Sequence, residues 1–162
     1  MKQDWIGFFQ TMAQVSITVF SLMFVAMQVR HKEWRGTQLR TIAAISALVE
    51  LFVPMFTSMI ILMAGHPWKV AAVLGGGLGL VAVGSHWFLY RRYKEIADDF
   101  DQRQMRWSLL SLLAYSLLAV SALGLGLYML SGICLWLLLS GSFEAWYVLD
   151  PKGLSGSSKE ER

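Results

Sequence analysis

Long apolar stretches separated by short polar or basic segments dominate the sequence. The apolar runs cover residues 5–28, 41–65, 69–90 and 107–149. A bilayer hydrocarbon core of about 30 Å requires roughly 20 apolar helical residues to cross it. Because irregular backbone cannot face lipid, each run predicts at least one transmembrane helix.

The last apolar run is too long to be a single span. At about 1.5 Å per residue it would form a helix about twice as long as the core is thick, so it must break. Ser131 and Gly132 are turn formers, which favours a break at Tyr128–Gly132 and spans at 107–127 and 133–149. The last span is short and carries Glu144. An alternative with four spans and a re-entrant or interfacial C-terminal helix therefore stays open.

The sequence thus predicts an all-α, polytopic membrane bundle of five helices in one domain, residues 1–149. The Gly- and Ser-rich segment 150–162 is expected to be a flexible tail. Composition agrees, because 56% of the 162 residues are hydrophobic, only 15% are charged and the mean hydropathy is +0.50. The first span lacks a small-x-small cleavage site before RHKEWR, so we expect it to be retained.

The distribution of basic residues predicts the orientation. Lys and Arg favour the cytoplasmic side of a membrane, and here they cluster after the first span, after the third span and in the tail. Five spans with the N-terminus outside and the C-terminus inside place all but two of the 14 basic residues in the cytoplasm. We therefore expect a cell (inner) membrane protein. The net charge of +3 is explained by this topology rather than by nucleic-acid binding.

Two spans carry polar stripes at helical spacing. In the first span the stripe is formed by Gln10, Gln14, Thr18 and Ser21. In the second span it is formed by Ser46, Glu50, Pro54 and Thr57. Such stripes are typical of helices that line a pore or pack against other helices.

Glu50 is the strongest candidate for function. It lies about nine residues, roughly 13 Å, from the inner end of its span, near the middle of the bilayer. A carboxyl group there costs about 2.5–3.5 kcal/mol on insertion scales and therefore needs a partner or water. Pro54 cannot donate to the backbone carbonyl of Glu50, which increases the local polarity. Glu50 is either an ion or proton site or a protonated group bonded to a glutamine or serine of the first span.

His86 and Glu144 extend this candidate site. Both are predicted in the inner half of the membrane, where they could form a titratable cluster with a carboxylate beside the imidazole. The alternative is that both side chains reach the headgroup region within an aromatic belt that includes Trp87 and Trp146.

The third span contains GGGLG, in which Gly75 and Gly79 have small-xxx-small spacing. Glycines at this spacing let helix backbones approach closely, so they predict helix packing. A phosphate-binding loop would need a preceding strand and a following Lys-Ser/Thr, which the sequence lacks.

The sequence offers no enzyme motif. HExxH and GxSxG are absent, the single Cys134 excludes a disulfide or a Cys-based metal site within one chain, and the three histidines are dispersed. We therefore expect no catalytic activity, metal or cofactor. The leading hypothesis is an oligomeric channel or small transporter for a cation or proton. The alternative is a non-transporting assembly or accessory subunit that binds a partner membrane protein.

Overall fold

A computed structural model of the chain describes residues 3–29, 38–94, 99–124 and 126–149. These residues form five helices: α1 (Gln3–Val29), α2 (Gln38–Leu62), α3 (Trp68–Arg92), α4 (Asp99–Ser121) and α5 (Gly126–Leu149). The described part of the chain contains no strand, which confirms the all-α class. The predicted tail, residues 150–162, lies outside the described residues.

The predicted break at Tyr128–Gly132 is wrong, because that segment lies inside α5. The chain turns earlier, where Gly124 and Gly126 have φ angles of 136° and 80°. Glycine adopts positive φ without a steric penalty, so these two residues form the turn. Ser131 does not break the helix, since its Oγ donates to the Tyr128 carbonyl oxygen at 2.8 Å. The last helix therefore begins seven residues earlier than residue 133.

Four of the five described helices are long and apolar enough to cross a membrane. The apolar segments are Gln3–Val29, Thr41–Leu62, Trp68–Arg92 and Gly126–Trp146. The C-terminal helix α5 is among them, although the sequence predicted a short last span. It is long enough because it begins before residue 133. Helix α4 is not, since it begins with the polar sequence DFDQRQMR and carries serines along its length.

The helices pack through small residues. A Cβ atom on Gly76 of α3 would lie 2.7 Å from the backbone nitrogen of Ala119 in α4, and one on Gly79 would overlap the ring of Tyr115. Gly75 lies against Thr57 of α2 in the same way. Helix α3 therefore lies between α2 and α4, and it runs antiparallel to α4 because residue numbers rise along one helix as they fall along the other.

The remaining two helices complete the bundle. Helix α1 packs along α2, where Phe20 and Phe52 have ring centroids 6.1 Å apart. Helix α5 also packs against α2 and touches α1. The N-terminal ends of α1 and α5 lie at the same end of the bundle, because the rings of Trp5 and Tyr128 are 4.6 Å apart, edge to face.

Candidate functional site: a buried pair of carboxyl groups

Glu50 lies at the junction of α2, α4 and α5 and is only 3% exposed. Ser111 of α4 donates a hydrogen bond to Oε1 of Glu50, and Ser140 of α5 donates one to Oε2 at 2.7 Å. The hypothesis that a polar residue of the first span binds Glu50 is therefore wrong about the partner helix. Both oxygens are satisfied by neighbouring helices, so the side chain links three helices at once.

Close approach of the backbones makes these bonds possible. Gly141 lies against α2, and a Cβ atom at this position would be 2.8 Å from the Cβ of Glu50. The adjacent Ser140 is thereby brought within reach of the carboxyl group. Within α2, Pro54 lies one turn after Glu50 and has no amide hydrogen. The backbone carbonyl of Glu50 therefore lacks its usual helical donor.

Glu144 is the second buried carboxyl group, 7% exposed and one helical turn after Ser140. It lies close enough to Glu50 for charges on the two groups to repel each other, and both are close to the buried Tyr115. Gln104 of α4 lies beside Glu144. The Nε2 atom of Gln104 is buried there, near enough to Glu144 to stabilise a charge on its carboxyl group. The two carboxyl groups are therefore unfavourable neighbours when both are charged.

His86 is buried between α3 and α2, with only 3% of its surface exposed. Its Nδ1 atom is hydrogen-bonded to the hydroxyl of Ser46 at 3.3 Å. Ser46 lies one helical turn before Glu50 in α2. The structure thus joins His86 to the polar stripe of α2, whereas Glu144 associates with Glu50 and Gln104. Both side chains are buried in the bundle.

A cavity of about 520 Å³ opens beside Glu144, between α4 and α5. Glu144, Gln104 and Ser140 are its polar lining. The other walls are apolar and mostly aromatic: Trp107, Trp136, Leu139 and Phe143. All four apolar side chains are also exposed on the outer surface of the bundle, so the cavity opens toward the surroundings of α4 and α5 rather than toward the core.

The polar stripe of α1 is remote from this site. Gln10, Gln14, Thr18 and Ser21 are all exposed on the outer surface of the bundle. Thr18 is partly satisfied, because its hydroxyl donates to the Gln14 carbonyl at 2.8 Å. In the second span, by contrast, Ser46 joins His86 and Thr57 is buried against Gly75. In the single chain, the stripe of α1 is therefore exposed, whereas Ser46 and Thr57 of the α2 stripe contact α3.

Sequence reasoning did not identify the partners of the carboxyl groups. Ser108, Ser111 and Tyr115 follow one another at helical spacing in the sequence, but nothing there relates Ser111 to Glu50. Ser140 and Gln104 were missed. Their spacing was a usable signal, since Ser140 and Glu144 are four residues apart and Gln104 and Ser111 are seven apart, so each pair shares one helix face.

These features are compatible with a polytopic α-helical membrane protein that holds two acidic side chains inside its bundle. No protein-family model matches the chain, and the searches of curated proteins and of solved structures found no significant match. Within the described residues, no group of three or more His, Cys, Asp or Glu side chains is placed to hold a metal ion.

Proposed function

We propose that this protein is a small membrane transporter for a cation or proton, with Glu144 and Glu50 as its site. The observation that carries the proposal is the position of Glu144, buried in a helical bundle, near a second carboxyl group and at the wall of a cavity. Ionisable groups inside membrane bundles are costly, and they commonly mark ion or proton pathways. Glu144 is the carboxyl group that a substrate reaches, whereas Glu50 is held by two serines and influences Glu144 through its charge.

The proposal includes five crossings of the cell (inner) membrane, with the N-terminus outside and the C-terminus in the cytoplasm. Helix α4 is included as a span because it runs antiparallel beside α3 through close contacts at Gly76 and Gly79. The pairing of Trp5 with Tyr128 supports the same topology, since α1 and α5 then begin on the same side. The basic segments after α1 and α3 supply the cytoplasmic charge.

The transporter is proposed to act as a homo-oligomer. The stripe of α1 would otherwise leave the amide groups of Gln10 and Gln14 in contact with lipid, where unsatisfied polar groups are unfavourable. A second copy of α1 offers the same amides, each of which can both donate and accept hydrogen bonds. The stripe then joins subunits, and the carboxyl site lies within each one.

Flux measurements in proteoliposomes test the function. Wild-type protein should carry protons or a cation down an imposed gradient, and Glu144→Gln should reduce this flux at least about tenfold at matched incorporation. Glu50→Gln should also reduce it, because the neighbouring charge is lost. Asp4→Asn is the control, since Asp4 is exposed at the start of α1 and should leave flux unchanged. Wild-type protein without flux across several cations, pH values and membrane potentials would contradict the proposal.

The exposed stripe of α1 also supports a second candidate function, an accessory subunit that binds a different membrane protein. Disulfide cross-linking in native membranes distinguishes the two, using Thr18→Cys in a Cys134→Ala background. A symmetric dimer of this chain supports the homo-oligomer, whereas a heterologous adduct supports the accessory subunit. Ser16→Cys is the control, because Ser16 is fully buried on the opposite side of α1.

A further inference from the structure

We propose that the cavity between α4 and α5 binds an amphipathic organic cation, with the positive charge at Glu144 and the apolar body against the tryptophans. This inference names the substrate class of the site and therefore rests on the proposed function for its physiological meaning. Binding itself can be measured without any transport.

The size and position of the cavity suit an organic molecule rather than a bare metal ion. Its volume of about 520 Å³ is within the range of roughly 300–1,000 Å³ that is typical of small-molecule sites. An inorganic cation would fill only a small part of it and would leave the apolar walls without contacts. Because Trp136 and Phe143 are partly exposed on the outer surface, a molecule dissolved in the bilayer can enter between the two helices.

The chemistry of the walls indicates the charge of the ligand. Trp107, Trp136 and Phe143 present aromatic rings, and cations are attracted to such rings, most strongly to tryptophan. The carboxyl group of Glu144 attracts the same charge and repels an anion. The amide of Gln104 beside Glu144 adds a second polar group at the same wall, so the lining favours a ligand with one polar end.

A neighbouring cavity extends the site along the groove between α4 and α5. Its volume is about 300 Å³, and its lining is apolar apart from Tyr128. Trp136 lines both cavities, so the two adjoin at its side chain. For a ligand with a cationic head at Glu144, an apolar extension would reach this second cavity by displacing the Trp136 side chain.

The test is equilibrium binding of tetraphenylphosphonium to the full chain purified in detergent. Tetraphenylborate is the matched control ligand, since it has nearly the same shape and the opposite charge. We expect saturable binding of one cation per chain and at least about tenfold weaker binding of the anion. Equal affinity for both ions would overturn the proposal.

Variants locate the binding in this cavity. Glu144→Gln should weaken cation binding at least about tenfold, and Trp136→Leu about three- to tenfold. Trp146→Leu is the matched control, because Trp146 is an exposed tryptophan of the same helix outside the cavity lining, and it should change affinity less than twofold. Wild-type affinity in folded Glu144→Gln would overturn the assignment.

A second variant keeps the test decisive if Glu144→Gln does not fold. Leu139→Trp should fill the cavity from its exposed edge while leaving the carboxyl groups in place, so it should weaken binding at least about tenfold. Unchanged binding in that variant would contradict the proposed location. Binding without flux would support this inference and contradict transport. Proton flux without binding of the organic cation would support transport and contradict this inference.

Discussion

Gly141 of α5 lies so close to Glu50 of α2 that a Cβ atom at position 141 would be 2.8 Å from the Cβ of Glu50. It would also lie 3.1 Å from the backbone nitrogen of Leu51, which cannot move aside as the end of a side chain could. The absence of a side chain at position 141 therefore determines how near the two helices come, and with it whether Ser140 reaches the carboxyl group.

Gly141→Ala should push α5 away from α2. We expect a loss of about 1–3 kcal/mol in the free energy of unfolding, as for other overpacked interiors. Thermal or denaturant unfolding in detergent, followed by circular dichroism, measures it. Gly132→Ala is the matched control on the same helix, since a Cβ atom there would meet nothing within 4 Å. Equal effects of the two substitutions would show that the close approach at Glu50 is unimportant for stability.

The two serine bonds to Glu50 should be stabilising and individually measurable. Ser111→Ala or Ser140→Ala would leave one buried carboxyl oxygen of Glu50 without its donor. Each substitution should therefore lower the free energy of unfolding by about 1–3 kcal/mol. Ser116→Ala and Ser142→Ala are the controls, because their hydroxyls donate only to carbonyl groups of their own helices.

A double-mutant cycle identifies the partner of each serine. Combining Ser140→Ala with Glu50→Gln should give a total loss that differs from the sum of the single losses by about 0.5–3 kcal/mol, as expected for residues in contact. Additive losses would mean that Ser140 stabilises the protein independently of Glu50.

The sequence alone could establish the helical class and most helix positions, because apolar run length and helical spacing are local properties. It also identified Glu50 as an unusual residue, since its depth follows from its position in the span. The partners of Glu50 could not be predicted, because they depend on which helices meet. Ser111 and Ser140 are 61 and 90 residues away in the chain, and no local pattern relates them to Glu50.

The turn before α5 shows a different limit of local reasoning. Ser131 and Gly132 were expected to break the helix, yet serine in a membrane helix can donate to a carbonyl of the preceding turn, as Ser131 does. The pair Gly124 and Gly126 forms the turn instead, because both residues adopt positive φ angles. Both segments contain glycine, so glycine content alone does not decide between them.

The glycines of α3 permit a second direct test of packing. Gly76→Ala would place a methyl group 2.7 Å from the backbone nitrogen of Ala119 and should destabilise the protein by about 1–3 kcal/mol. Gly77→Ala, one residue along, would meet nothing within 4 Å. It should be neutral or stabilise the helix by about 0.5–1 kcal/mol, because alanine loses less conformational entropy than glycine. Unfolding in detergent measures the stability of both variants. If Gly77→Ala destabilises the protein and Gly76→Ala does not, the packing of α3 on α4 is contradicted.

The outer surface of α1 leads to the last prediction, which concerns assembly. Gln10 and Gln14 are exposed on the same stripe, and interhelical hydrogen bonds in membranes contribute about 0.6–2 kcal/mol each. Replacing both by leucine should therefore weaken self-association by roughly 1–4 kcal/mol without unfolding the chain. Sedimentation equilibrium in detergent measures the association constant. Leu22→Ala, at an apolar position that is 65% exposed on the same helix, is the control and should weaken association less. If the double variant associates as strongly as the wild type while Leu22→Ala does not, an apolar face of α1 and not the glutamine stripe joins the subunits.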